Sequence, residues 1–170
     1  MRVSIAKGYL PGCIGRITEL HARYYSRRVG FGLPFESKVA RELADFCTRY
    51  DDQRDGLWLA LSDGLVHGSI AIDGGHADSE GAHLRWFITS EELRGRGTGN
   101  VLIRAAMDFC KDRDYRRIYL WTFSGLSAAR HLYEKSGFKL VHQQRGTQWG
   151  LEVDEQRFEN ACQNRSGEHV

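Results

Sequence analysis

Proline is scarce in this chain, two in 170 residues, and no internal repeat or low-complexity block interrupts it. The four cysteines, Cys13, Cys47, Cys110 and Cys162, are far apart and form no C-x-x-C pair. They suit a reducing compartment, where thiols are mostly small core residues. The seven histidines are scattered, and no Cys/His cluster has zinc-site spacing, so no metal is expected. Net charge is only +2, too little to imply a nucleic-acid or membrane surface. No apolar run is long enough to span a bilayer, and the N-terminus "MRVSIAKGYLPGCIGR" lacks the apolar core of a signal peptide. These absences predict a cytoplasmic, soluble protein with no nucleic-acid or membrane partner. What remains is an ordinary globular composition, 41% apolar and 27% charged, in a length that suits one domain with a proper core.

Apolar periodicity sets the element order. "RVSIA" alternates as a first strand. "IGRITELHARYYSRRVG" has helical spacing and stops at Gly30, and "FGLPFESKVARELADFCTRY" places Val39, Leu43, Phe46 and Tyr50 on a second helical face. "LWLALS" and "LVHGSIAI" flank Asp63-Gly64, a hairpin signal, and "AHLRWFI" is a third strand of that group. A helix, "VLIRAAMDFCKDR", a strand, "RRIYLWT", and a helix, "LSAARHLYEKSG", follow. "FKLVHQQ" and "TQWGLEV" read as two last strands around Arg145-Gly146, and everything after Asp154 reads as a frayed polar tail. The strand–helix–strand run requires a parallel crossover and the hairpins antiparallel pairing, so a mixed sheet with helices on its faces is predicted.

One stretch is dense in glycine and arginine. "LRGRGTGNVL", residues 93–102, opens a helix, where unpaired N–H groups and bare backbone favour an anion, most simply a phosphate. A P-loop counted from Gly95 would need Gly-Lys where Asn100-Val101 stand. A dinucleotide fingerprint would need a glycine at Asn100 and an acid where the next strand ends in Trp121-Thr122. Both readings fail. The third pattern, Arg-x-x-Gly-x-Gly, is met by Arg94, Gly97 and Gly99. Further along, "SAARHLYEKSGF" supplies Ala129, Leu132, Tyr133, Glu134, Gly137 and Phe138 in an A-x-x-L-Y-E-x-x-G-F pattern, with one helix and one strand between the two motifs.

On these two motifs, residues 57–153 resemble the GCN5-related N-acetyltransferase (GNAT) family. The resemblance implies an α/β, single-domain acetyltransferase fold. Its central sheet is mixed and mostly antiparallel, with a splayed central parallel strand pair and helices on both faces. It implies one domain over residues 1–153, with an acceptor side at 1–55, an acetyl-coenzyme A core at 57–153 and the polar tail at 154–170. The implied activity moves an acetyl group from acetyl-coenzyme A to a primary amine by direct attack on the thioester. Arg94, Gly95, Arg96, Gly97, Thr98, Gly99 and Asn100 would hold the pyrophosphate. Trp86, Phe87 and Ile88 would run beside the pantetheine arm, with a backbone N–H near Trp86 or Phe87 polarising the carbonyl. Tyr133 would be the general acid. Where many members carry an asparagine that contacts the coenzyme arm, this chain has Leu126, so Ser124 or Ser127 would have to replace that contact.

The base stays open among Glu19, His21, Glu80 and His83. In the acceptor region Tyr24, Tyr25, Phe31 and Phe35 are candidates to line a pocket for a small-molecule or protein amine, with Glu36 or Glu19 to hold it. "ELHARYY" before a glycine-rich aromatic loop also resembles acetyltransferase domains fused to MarR-type regulators. The winged helix of such regulators is missing, and "SRRVG" is too short to be a recognition helix. Strands expected near the C-terminus leave a homodimer open. The competing functional reading is a non-catalytic acyl-coenzyme A sensor or scaffold that kept the anchor and lost the chemistry.

Overall fold

A computed structural model describes residues 1–162 of the chain. In chain order the elements are β1 (Ser4–Lys7), α1 (Cys13–Val29), α2 (Leu33–Thr48), β2 (Gly56–Ser62), β3 (Leu65–Asp73), β4 (Ala82–Thr89), a short 3-10 turn (Glu91–Leu93), α3 (Thr98–Asp112), β5 (Arg117–Phe123), α4 (Ser127–Lys135), β6 (Lys139–Gly146) and β7 (Val153–Ala161). This is the order that the apolar periods predict. The local signals act as expected: α1 ends on Gly30 in the left-handed region, and Asp63 and Gly64 both take positive φ in the β2–β3 hairpin.

The strands form one seven-stranded sheet in the order β1-β2-β3-β4-β5-β7-β6. Every neighbouring pair is antiparallel except β4 and β5. That parallel pair is joined only at Ala82↔Ile118 and His83↔Tyr119, after which the strands part. The splayed pair expected at the centre of the sheet is therefore present.

Each face of the sheet carries its own core. Under α3 and α4, Leu102, Ala106 and Phe109 pack on Trp58, Ile70, Leu84, Leu120 and Phe158. Under α1 and α2, Ile17, Val39, Leu43 and Phe46 pack on Leu57, Leu59, Ala71 and Trp86. Fully burying an aliphatic or aromatic side chain contributes about 1.5–3 kcal/mol, so either cluster alone outweighs any surface ion pair.

The C-terminal reading needs correcting. Residues 147–152 turn instead of forming a strand, with the Gly150 N–H donating to Thr147 O at 2.9 Å and Gly150 at φ 98°. Asp154–Ala161, expected to fray, belong to β7, which pairs with both β5 and β6. Polarity hid this strand. Glu155 and Gln156 are buried, but their polar atoms are satisfied across the sheet: Gln144 Nε2 and the Gln148 N–H donate to Glu155 at 3.3 and 3.1 Å, and Gln156 Nε2 donates to Gln143 at 3.0 Å. Residues 163–170 of the expected tail lie outside the described residues.

Candidate active site

The glycine stretch bridges the 3-10 turn and α3. Gly97 caps α3 at φ 75°, Gly95 takes the same φ, and a side chain on either would point into open space. Among the described residues the N–H groups of Gly97, Thr98, Gly99 and Asn100 meet no acceptor; the first helical bond runs from the Val101 N–H to Gly97 O at 3.1 Å. Four orphan donors and the positive end of a fifteen-residue helix thus share one exposed turn. Arg94 and Arg96 are exposed beside it, and one N–H of Arg96 reaches the Met1 carbonyl at 3.4 Å. Gly99 matters for packing instead. A Cβ there would lie 3.3 Å from Leu132 and 3.6 Å from Phe87, so its absence lets α3 close on α4 and β4.

The middle of β4 is irregular. Register slips between Ser69↔Ile88 and Ala71↔Arg85, so two residues, Trp86 and Phe87, stand opposite Ile70 alone. Trp86 has φ 48°, a left-handed conformation that is strained in a bulky residue, and Ser69 Oγ pins the bulge by donating to the Trp86 carbonyl at 2.7 Å. The bulge breaks the in–out alternation. Arg85 and Trp86, consecutive in sequence, stand together, with the guanidinium 4.2 Å from the indole centroid. Phe87 instead faces Tyr133, ring centroids 5.9 Å apart. Ile88 is buried further along the strand.

The gap between β4 and β5 opens into a cavity of about 430 Å³ that reaches both sides of the sheet. Leu84, Phe87, Leu120 and Tyr133 wall it on the α3–α4 side. Tyr133 is 7% exposed, its hydroxyl makes no hydrogen bond among the described residues, and burial raises its pKa, so it stays a phenol at any working pH. On the other side Tyr25 and Phe35 line the cavity as expected. Phe31 is buried behind them, and Tyr24 sits edge-on to Tyr25. Glu36 opens instead onto a separate surface groove with Arg23 and Arg27.

Of the four candidate bases the cavity gathers two, His21 and His83. The His21 Nδ1–H donates to the Ile17 carbonyl at 2.8 Å, leaving Nε2 bare, and burial pushes its pKa down to about 4. His83 stacks on Tyr119 at the last β4–β5 pair; burial, with Arg85 nearby, pushes its pKa down to about 3. Glu19 pairs with Arg16 and Arg23 on the α1 surface, and Glu80 accepts from the Tyr119 hydroxyl at 3.4 Å; neither lines the cavity. Leu126, in the place of the usual asparagine, is buried in the α1–α2 core, and Ser124 and Ser127 are exposed at the entrance to α4. Sequence reading missed Lys38, Glu42, Arg85, Gln148 and Trp149, all on the cavity wall. Lys38 and Glu42 continue the Phe35 face of α2 at helical spacing, the one signal that pointed to them. Among the described residues no cluster of His, Cys, Asp or Glu could hold a metal, and no helix is long and apolar enough to cross a membrane.

Residues 15–138 match the family described as "Acetyltransferase (GNAT) family", and the chain belongs to that family. It is 29% identical over 115 residues to the mouse protein named "Probable N-acetyltransferase family 8 member 5", covering 64% of this chain and 51% of that one. It is 28% identical over 100 residues to human N-acetyltransferase 8B, covering 57% and 44%. The chain thus spans about half the length of the curated relatives it matches. Among solved structures, a GNAT family acetyltransferase from Staphylococcus aureus superposes with a TM-score of 0.77 at 17% identity, over 95% of this chain and all of that one. The Salmonella typhimurium protein yncA, solved with its cofactor acetyl-CoA, gives 0.73 at 14% identity over 100% and 99%. At these identities the structural likeness establishes the fold: one α/β domain with a seven-stranded mixed sheet.

Proposed function

We propose that this protein is an acetyl-coenzyme A-dependent N-acetyltransferase acting on a primary amine. The observation that carries the proposal is the pairing of an exposed turn of four unpartnered amides, at the start of α3, with a cavity that passes between β4 and β5. The turn suits a diphosphate: open space lies over Gly95 and Gly97, the helix dipole favours negative charge, and Arg94 and Arg96 flank it. The peptide-like arm of the coenzyme would lie along the unpaired edge of β4, with its thioester at the bulge.

The thioester supplies an activated acyl carbon. A backbone N–H at Trp86 or Phe87 would hydrogen-bond its oxygen as charge develops there, an effect of about 3 kcal/mol per donor. The amine must arrive neutral. An alkyl amine of pKa about 10.4 is protonated at pH 7, and the apolar wall of Leu84, Leu120 and Phe123 disfavours the ammonium form. With pKa values of about 4 and 3, His21 and His83 are too weakly basic to take that proton before attack. Tyr133 would donate a hydrogen bond to the departing sulfur, and the amine's proton completes the thiol. For an alkyl amine, kcat/KM should therefore climb about tenfold per pH unit from pH 7 to 9, with no step near 6.5. A bell centred near neutrality would restore a side-chain base to the mechanism.

The direct test is thermal stabilisation by acetyl-coenzyme A, followed by thiol release with a panel of amines. Stabilisation with turnover supports the enzyme. Stabilisation with no turnover on any amine favours an acyl-coenzyme A sensor, the reading to which Leu126 in place of asparagine lends weight. Absence of stabilisation removes both.

A further inference from the structure

The acceptor half of the cavity has a charge pattern that the transfer chemistry itself does not need. Glu42 is paired with both Lys38, at 2.7 Å, and Arg85. Behind Arg85, at 4.0 Å, stands Asp73, itself paired with Arg49 at 2.6 Å. Arg49 is paired with Asp45 as well, at 3.5 Å, so the row Lys38–Glu42–Arg85–Asp73–Arg49–Asp45 as a whole is balanced; on the cavity wall itself Lys38 and Arg85 stand against Glu42 alone. His21 and His83 add no charge at neutral pH.

The surplus on that wall is one positive charge. A guanidinium has five N–H donors; Arg85 spends one on Glu42, and its side chain is 19% exposed. Lys38 has three donors and spends one, also on Glu42. Glu42, already shared by two cations, offers little to a second ammonium, so a diamine is a poor fit. A carboxylate is a good one: it would take up the unused donors of Arg85 and Lys38. Its position follows from the bulge. Arg85 immediately precedes Trp86, where the thioester carbonyl would be polarised, so the anion must lie close to the attacking nitrogen. The other end of the cavity is aromatic: Tyr25 lies 5.3 Å from Phe35, and Phe123 5.6 Å from Trp149. From Phe35 to Glu42 along α2 is about 10 Å at 1.5 Å per residue, enough for an extended amino-acid-sized molecule.

We infer that the acceptor is a small α-amino acid with an apolar side chain, its carboxylate held by Arg85 and Lys38 and its side chain seated among Tyr25, Phe35 and Trp149. This rests on the acetyltransferase reading and narrows it.

The test compares L-phenylalanine, L-phenylalaninamide and phenethylamine as acceptors, with rates corrected to the neutral-amine fraction. Phenylalanine should exceed both others in kcat/KM by about tenfold or more, as expected for a charge-assisted contact. Arg85→Gln should bring that ratio to within about twofold of unity, and Lys38→Gln should reduce it in part. A ratio is unaffected by the folded fraction, so partial unfolding of either variant does not obscure the result. If the amide or phenethylamine matches phenylalanine, the inference is overturned and the acetyltransferase reading stands. If none of the three reacts while acetyl-coenzyme A still stabilises the protein, the inference is overturned and the wider amine panel decides between enzyme and sensor. If acetyl-coenzyme A does not bind at all, it is that reading which has failed, and the inference falls with it.

Discussion

The two faces of the sheet build their halves of the cavity from different materials. On the α3–α4 side the proposed anchor is backbone: amides at a helix start, two glycines at positive φ, and one glycine that permits close packing. On the α1–α2 side it is side chains from five places, with Tyr25 on α1, Lys38 and Glu42 on α2, Arg85 on β4, Phe123 on β5 and Trp149 in the turn before β7. A ligand common to many acetyltransferases can be held by groups that every residue carries. A ligand peculiar to one of them needs particular side chains, and these can come from anywhere in the chain.

Four experiments would break or sharpen that contrast. The largest effect is expected at Tyr133, the one side chain on the anchor face with a proposed chemical step. Tyr133→Phe should lower turnover about 100-fold or more while the acetyl-coenzyme A dissociation constant, measured by calorimetry, stays the same. Unchanged turnover would leave the coenzyme side with no chemistry beyond binding.

Acid is the next probe, and it acts on the cavity through two buried imidazoles, His21 and His83, of which His21 illustrates the sign. The pKa of this residue lies below its unfolded value, so folding favours the neutral form. Its contribution is whole above pH 6.5 and is lost as pH falls from 6.5 towards 4, on the order of 3 kcal/mol in all. Urea midpoints at pH 7 and pH 4.5 would measure it together with the like contribution of His83, whose pKa is also pushed down, so His21→Gln should remove about half of the difference.

A smaller, paired effect separates the faces directly. Arg94→Ala should weaken coenzyme binding about tenfold and leave the acceptor KM alone. Trp149→Ala should raise the acceptor KM by a similar factor and leave the coenzyme constant alone. If both constants move in both variants, the halves are not independent. The smallest effect, within about twofold, is expected for Ser127→Ala, because Ser127 is exposed at the first position of α4 and its hydroxyl makes no hydrogen bond among the described residues. A larger loss of coenzyme affinity would show that Ser127 replaces the asparagine contact that Leu126 cannot make.

The same contrast explains what the sequence disclosed. Backbone sites need glycine at fixed offsets, so Arg94, Gly97 and Gly99 were legible as a motif, and the helix of Tyr133 as a second. The order of elements was legible too, because each buries an apolar stripe with its own period. The β4 bulge was not. No residue type announces it, and Trp86 is among the last residues that propensity would put at positive φ. Without the bulge, strict alternation puts Arg85 and Trp86 on opposite faces, so Arg85 could not be recognised as part of the cavity. The strand β7 escaped for a related reason: its buried groups are polar and are satisfied by partners on β6 and in the turn, which no single segment reveals.

The parting of β4 from β5 reaches beyond catalysis. Sheets ordinarily keep their raw edges at the margins, but here two strands show unpaired backbone to each other in the middle of the molecule, below a two-residue clasp. An extended guest lying in that seam would serve as an eighth strand, and the domain would be complete only while it is loaded. Amides of Leu84–Ile88 and Leu120–Phe123 that face the seam should therefore exchange with solvent as margin amides do when the protein is empty, and as interior ones do when it is full.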